Sequence, residues 1–217
     1  SPGPGGAVSF VCHSLGGLYG RQALRILEEE GWFVNSGVHA ANFVTTASPH
    51  MGITEIGAFW RWGAWALQTP LGDTVKELML ESDLIEGLAD EVAIDSLRRF
   101  RRRAIYANLD DDLWVRPCTS LLVPELPPLG ELPPGVPQLL PAELLATMDP
   151  GASELDSFSS DTREAVREML EGLCELEWER YIVSFPYTMW TGAAHHKICQ
   201  HSLKDLESSG AHAVYHL

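Results

Sequence analysis

The sequence predicts an α/β fold with a mostly parallel sheet flanked by helices, and three observations carry that expectation. Val8-Ser9-Phe10-Val11-Cys12-His13 is β-prone, runs into Ser14-Leu15-Gly16-Gly17, and is followed by a helix-compatible stretch to Glu29. Ala41 to Ala47 is a second β-prone run reached over a short join, so strand, helix and strand make one right-handed crossover unit. Two more β-prone runs, Ala104–Asn108 and Tyr181–Phe185, alternate with helical segments further along.

The elements follow in order. Residues 7–12 read as a buried parallel strand, apolar on both faces apart from Ser9. Residues 15–30 read as its helix, with Gly31 as the stop. Ser48-Pro49-His50-Met51-Gly52 turns out of the second strand. Phe59-Trp60-Arg61-Trp62-Gly63-Ala64-Trp65-Ala66-Leu67 concentrates aromatics, as a helix under a loop does, or a cap over an acyl pocket, or a surface that touches lipid. Asp73 caps a short helix through Leu80, and Leu84–Leu88 and Ile94–Phe100 are further helical pieces. Residues 103–108 form the third strand, whose carboxyl end meets Asp110, Asp111 and Asp112. In open parallel sheets chemistry collects beyond those ends.

From Val123 to Pro141 the composition changes, with seven of the fourteen prolines falling there. Such a stretch cannot be helix or inner strand and is expected as an extended excursion over the surface. Residues 121–160 read as an insertion inside one domain spanning 1–217, whose first six residues look like linker. Asp161-Thr162-Arg163-Glu164 has capping-box spacing, and Val166, Met169, Leu170, Leu173 and Cys174 mark one helical face after it. The strand 181–185 follows, then a loop from Pro186 to Ala194 that leads to His195, and a short helix with a terminal extended piece.

Net charge is −15, from 30 acidic and 15 basic residues, which argues against a nucleic-acid partner. The one basic run, Arg98-Arg99 with Arg101-Arg102-Arg103, reads as a solvated helix end. Cys12, Cys118, Cys174 and Cys199 lack C-x-x-C spacing and suggest reduced thiols in an intracellular, cytoplasmic protein. No run of eighteen apolar residues is present.

Ser14 stands where a strand turns sharply into a helix, in the pattern Cys-x-Ser-x-Gly. Such a turn pushes Oγ out at the top of the sheet and leaves amides free at a helix N-terminus for a developing oxyanion. The pattern asks for small residues two before and two after the serine; Gly16 meets this and Cys12 meets it less well. Serine attacks only when a base takes its proton, and the base needs a carboxylate to hold its tautomer. The order Ser14, an aspartate of the 110–112 loop, then His195 or His196 supplies those parts. A metal site from His195, His196, Cys199 and His201 matches no established ligand spacing, so no metal and no cofactor is expected.

Phe10-Val11-Cys12-His13-Ser14-Leu15-Gly16-Gly17-Leu18 resembles the nucleophile segment of the lipase-like serine esterases, a branch of the α/β-hydrolases. Three further stretches agree in order: Phe43 to Gly52, Arg103 to Val115, and Ala194-His195-His196-Lys197-Ile198. The resemblance implies a parallel sheet of α/β-hydrolase type and hydrolysis of carboxylic esters, lipid acyl esters in particular, with contact to a lipid surface. It implies Ser14 as nucleophile, Asp112 as acid with Asp111 second, and His195 as base ahead of His196. His13 then packs beside the turn, and His50 helps shape the pocket. The family begins with a strand and a His-Gly loop ahead of the nucleophile. One oxyanion donor is the Leu15 amide, just after the nucleophile, and the second normally comes from that His-Gly loop; measured against the family this sequence is N-terminally truncated, so the second donor is wanting and one side of the Ser14 strand should be under-covered. A catalytically silent hydrolase-like domain that binds a lipid or a protein is the competing expectation.

Overall fold

β-branched and aromatic residues recur in the longer strands, and the two-residue alternation of a strand decides which face each side chain takes. The computed structural model describes residues 5–53, 84–110, 112, 114–146, 148, 160–185 and 193–199. Chain order is β1 (Ala7–His13), α1 (Gly16–Glu29), α2 (Trp32–Ser36), β2 (His39–Thr46), α3 (Leu84–Gly87), α4 (Glu91–Arg98), β3 (Arg102–Asn108), α5 (Pro117–Leu121), β4 (Gln138–Leu139), α6 (Ala142–Leu145), α7 (Ser160–Cys174), β5 (Glu179–Val183) and α8 (Ala193–Lys197). The aromatic segment 59–67, the helix proposed from Asp73 to Leu80, Asp111, the loop from Pro186 and the tail after Cys199 lie outside the described residues.

The sheet order is β1-β2-β3-β5-β4. The first four strands run parallel and β4 pairs antiparallel with β5. The register sets His13 beside Thr46, Thr46 beside Tyr106, and Asn108 beside Val183. The carboxyl ends of four strands therefore finish at one edge, and the segments leaving them are neighbours whatever their separation in sequence.

Alternation divides the core. Phe43 and Ile105 join α1, α4 and α7 residues such as Leu24, Leu97, Val166, Met169 and Leu173 in one cluster. Val44, Ala104, Tyr106 and Val183 point the other way and pack with Ala194 and Ile198. On that face Tyr106 and Tyr181 stack with ring centroids 4.6 Å apart. Most of the helical face expected on α7 is buried. Cys174 departs from it, being exposed overall while its Sγ approaches Leu122 O at 3.6 Å.

β1 differs from the strand the sequence suggests. Val11 is 64 % exposed, and exposed residues alternate with half-buried ones along the strand. Val8, Phe10 and Cys12 face the first core cluster, while β1 stands at the end of the sheet order. An edge strand covered on one face alternates, whereas an inner parallel strand is apolar on both. Helix α2 was also unforeseen: Gly31 does stop α1, but at φ 65° it turns the chain directly into a further short helix.

The proline-rich stretch is extended and lies against the sheet edge. Leu126, Leu129 and Leu132 pack on Leu121, Leu140 and Ile182, Gly135 N donates to Ser184 O at 2.7 Å, and Gln138–Leu139 adds the antiparallel edge strand. Proline is tolerated there because an edge strand has one side with no ladder to complete. The basic run is engaged in ion pairs, Arg98 with Asp95, Arg99 with Glu28 and Arg102 with Glu179. No helix among the described residues is long and apolar enough to cross a membrane.

Candidate active site

β1 ends in a turn tight enough to force Ser14 to φ 52°, the left-handed region that a residue with a Cβ enters only at a cost of about 1–2 kcal/mol. Its amide donates to Thr46 O at 2.9 Å, and Gly17 N donates back to Ser14 O at 3.0 Å. The half-buried side chain thus sits at the edge where the strands finish, with α1 leading away. Leu15 opens the helix, and its amide has no acceptor among the described residues.

The demand for small residues falls elsewhere than expected. A Cβ on Gly16 would meet nothing within 4 Å. On Gly17 it would lie 2.6 Å from Ser48 Cβ, and on Gly20 2.8 Å from Cys12 Sγ. The strand–helix approach is closest one and four residues after Gly16, because those positions of α1 face β2 and β1.

His195 lies on the short helix α8, not in a loop, and is 4 % exposed. Its Nε2 is 2.8 Å from Ser14 Oγ, and its Nδ1 is 3.0 Å from Asp112 Oδ2 and 3.1 Å from Oδ1. An ionised carboxylate only accepts, so Nδ1 carries the proton and Nε2 presents a lone pair to the serine hydroxyl. His196 is exposed, its ring edge-on to His195 with centroids 5.5 Å apart.

Asp112 is cradled from below. Asn108 Nδ2 donates to Oδ2 at 2.7 Å, and the amides of Trp114 and Val115 donate to Oδ1 at 3.0 and 2.9 Å. These donors satisfy the lone pairs that burial would otherwise strand, and they point the carboxylate at the imidazole. Asp110, the first of the acidic run, is exposed and accepts from Ser184 Oγ at 2.6 Å.

His50 is fully buried in the turn after β2. Its Nε2 bonds Thr45 Oγ1 at 2.8 Å, and burial with the Arg21 guanidinium pushes its pKa well below the usual histidine value. Arg21 is 1 % exposed and donates to the carbonyls of His50 and Leu88, with burial pushing its pKa down to about 9. The same turn is braced from α5, where Met51 N donates to Thr119 Oγ1 and Ser120 Oγ donates to Ser48 O.

Sequence reasoning had passed over Asn108, Thr46 and Arg21. Asn108 offered one signal, an amide at the last position of a strand that leads into an acidic loop. Thr46 and Arg21 offered none. No group of three or more His, Cys, Asp or Glu side chains among the described residues is arranged to hold a metal ion.

Comparison with known proteins bears on the family of the chain. The chain is 30 % identical over 158 residues to "Putative lipase YDL109C" of Saccharomyces cerevisiae, a match covering 59 % of this chain and 24 % of that protein. It is 38 % identical over 117 residues to "Putative lipase ROG1" of the same organism, covering 48 % of this chain and 16 % of that one. The chain thus spans about a quarter or less of these relatives. No solved structure gives a significant match. Residues 5–121 match the family model described as "Putative serine esterase (DUF676)", more than half of the sequence, and the chain belongs to that family.

Proposed function

We propose that the protein is a serine hydrolase that cleaves carboxylic esters, lipid acyl esters in particular, through Ser14, His195 and Asp112. The observation that carries this reading is the unbroken hydrogen-bond chain from Ser14 Oγ through both nitrogens of His195 to Asp112. The lipid substrate draws on the "lipase" in the relatives' names, and contact with a lipid surface on the aromatic segment in the sequence. One α/β-hydrolase-type domain in an intracellular compartment, with 121–160 as an insertion, completes the proposal.

In this mechanism Ser14 Oγ attacks the ester carbonyl carbon while His195 Nε2 takes the hydroxyl proton. Asp112 holds the ring and stabilises the imidazolium. The oxyanion draws a hydrogen bond from the Leu15 amide. Collapse breaks the bond to the alkoxy group, which leaves with the proton from His195, and an acyl group stays on Ser14. Water, activated by the same imidazole, then releases the acid. No step needs a metal or a cofactor.

A fluorophosphonate probe tests the reading, applied to the 217-residue chain and to a version extended upstream. Labelling that Ser14→Ala abolishes is the expected result. A folded protein that stays unlabelled in both forms would turn the assignment to the silent binding domain.

A further inference from the structure

His13 precedes Ser14, yet its side chain lies outside the hydrogen-bond chain of the proposed triad. Its Nδ1 is 3.1 Å from Thr46 O and 3.0 Å from Thr46 Oγ1. A carbonyl only accepts, so the Nδ1 proton points at Thr46. That same carbonyl receives the Ser14 amide at 2.9 Å. One acceptor therefore anchors both the backbone of the nucleophile and the ring of its neighbour. The ring itself meets His195, with centroids 4.8 Å apart and planes inclined by 48°.

The surroundings keep His13 uncharged. Burial first, then His195 and more weakly His196, oppose a charge, while Thr46 and Asp112 favour one; the balance puts its pKa down to about 4. His195 bonds Asp112 directly, and His13 does not.

We propose that His13 is a positioning residue: tied to Thr46, its imidazole is the wall that holds the His195 ring with Nε2 aimed at Ser14. The consequence for rate rests on the esterase reading above; the consequence for the His195 ring does not. Without the wall the imidazole gains freedom about its side-chain torsions, and water reaches the face that His13 covered.

Two variants of the full-length protein separate the ring from its tether. His13→Asn keeps a donor for Thr46 and removes the ring; His13→Phe keeps the ring and removes the donor. Fluorophosphonate labelling rates are read beside the NMR signals of the His195 ring, which report whether the imidazole is held in one orientation. His13→Asn is expected to slow labelling roughly tenfold or more and to broaden or average the His195 ring signals, since small misplacements of a reacting group have large costs. His13→Phe is expected to stay within roughly a few-fold of the parent, because the wall remains. Parent-like labelling and unchanged His195 ring signals in His13→Asn would overturn the proposal. If the Asn variant fails to fold, the Phe variant decides: a loss as large as that of a His195 substitution would mean the tether alone matters. A parent protein that never labels would sink the esterase reading alone, and the His195 ring signals would still decide the role of His13.

Discussion

The Cys12 sulfur occupies the space that a side chain on Gly20 would need. A Cβ built on Gly20 lies 2.8 Å from Cys12 Sγ and 3.5 Å from the Phe43 ring. Cysteine at the strand end is thus matched by a glycine on the facing helix. Gly20→Ala should destabilise the protein by about 1–2 kcal/mol through overpacking. In a Cys12→Ala background the same change should be neutral or favourable, since alanine gains up to about 1 kcal/mol over glycine in a helix. Thermal melts of the four-member cycle measure the coupling; equal cost in both backgrounds would refute the pairing.

Ser14 holds a left-handed backbone at φ 52°. Glycine enters that region freely and alanine does not. Ser14→Gly should therefore melt higher than Ser14→Ala, by roughly 1 kcal/mol in unfolding free energy, with both variants silent towards the fluorophosphonate. Equal stability of the two would mean that the turn carries no strain.

Asp112 offers a second graded test. Asp112→Asn keeps the volume but loses an acceptor for the His195 proton, and should slow acylation by about 10²–10⁴. Asn108→Ala removes one of the donors holding that carboxylate, 2.7 Å away. Its effect should be smaller, on the order of tenfold, and should appear in kcat rather than KM. A larger effect from Asn108 than from Asp112 would reverse the assigned roles.

Acid should destabilise the fold through its buried histidines. His13 is held down to about 4 and His50 is also pushed well down, both first by burial. Between about 6.5 and 4 the unfolded chain binds a proton that folded His13 refuses, so stability falls as pH falls through that window. The His13 contribution is on the order of 3 kcal/mol, present in full above pH 6.5 and lost by pH 4. Urea unfolding at pH 7, 5.5 and 4 measures it, and His13→Asn should flatten the curve. Parallel curves for the two proteins would refute the shift.

Local pattern was enough for much of this fold. Strand runs read at 41–47, 103–108 and 181–185 lie within two residues of β2, β3 and β5, because β-branched and aromatic runs bounded by turn residues leave few alternatives. The amphipathic face of α7 was legible from its apolar residues three and four apart. β4 was not: two residues among prolines carry no periodicity, and they pair only because β5 presents an open edge beside them.

The order Ser14, Asp112, His195 is a property of the chain, as is the glycine-rich turn after the serine. What lies between those residues is a property of the packed sheet. Parallel register brings the ends of β1 and β3 to one edge, and α8 packs onto it, so His195 reaches Ser14 at 2.8 Å across 181 residues. The resemblance already put His195 ahead of His196; the fold adds the physical reason, since two adjacent helical positions differ by about 100° and only one faces the core. The same holds for Val11, whose exposure depends on what lies beside β1, and for the close contact of Gly20 with Cys12, which arises only when α1 lies down on its strand. Residue type and spacing are local quantities, and distance between segments is set by how the apolar faces bury one another.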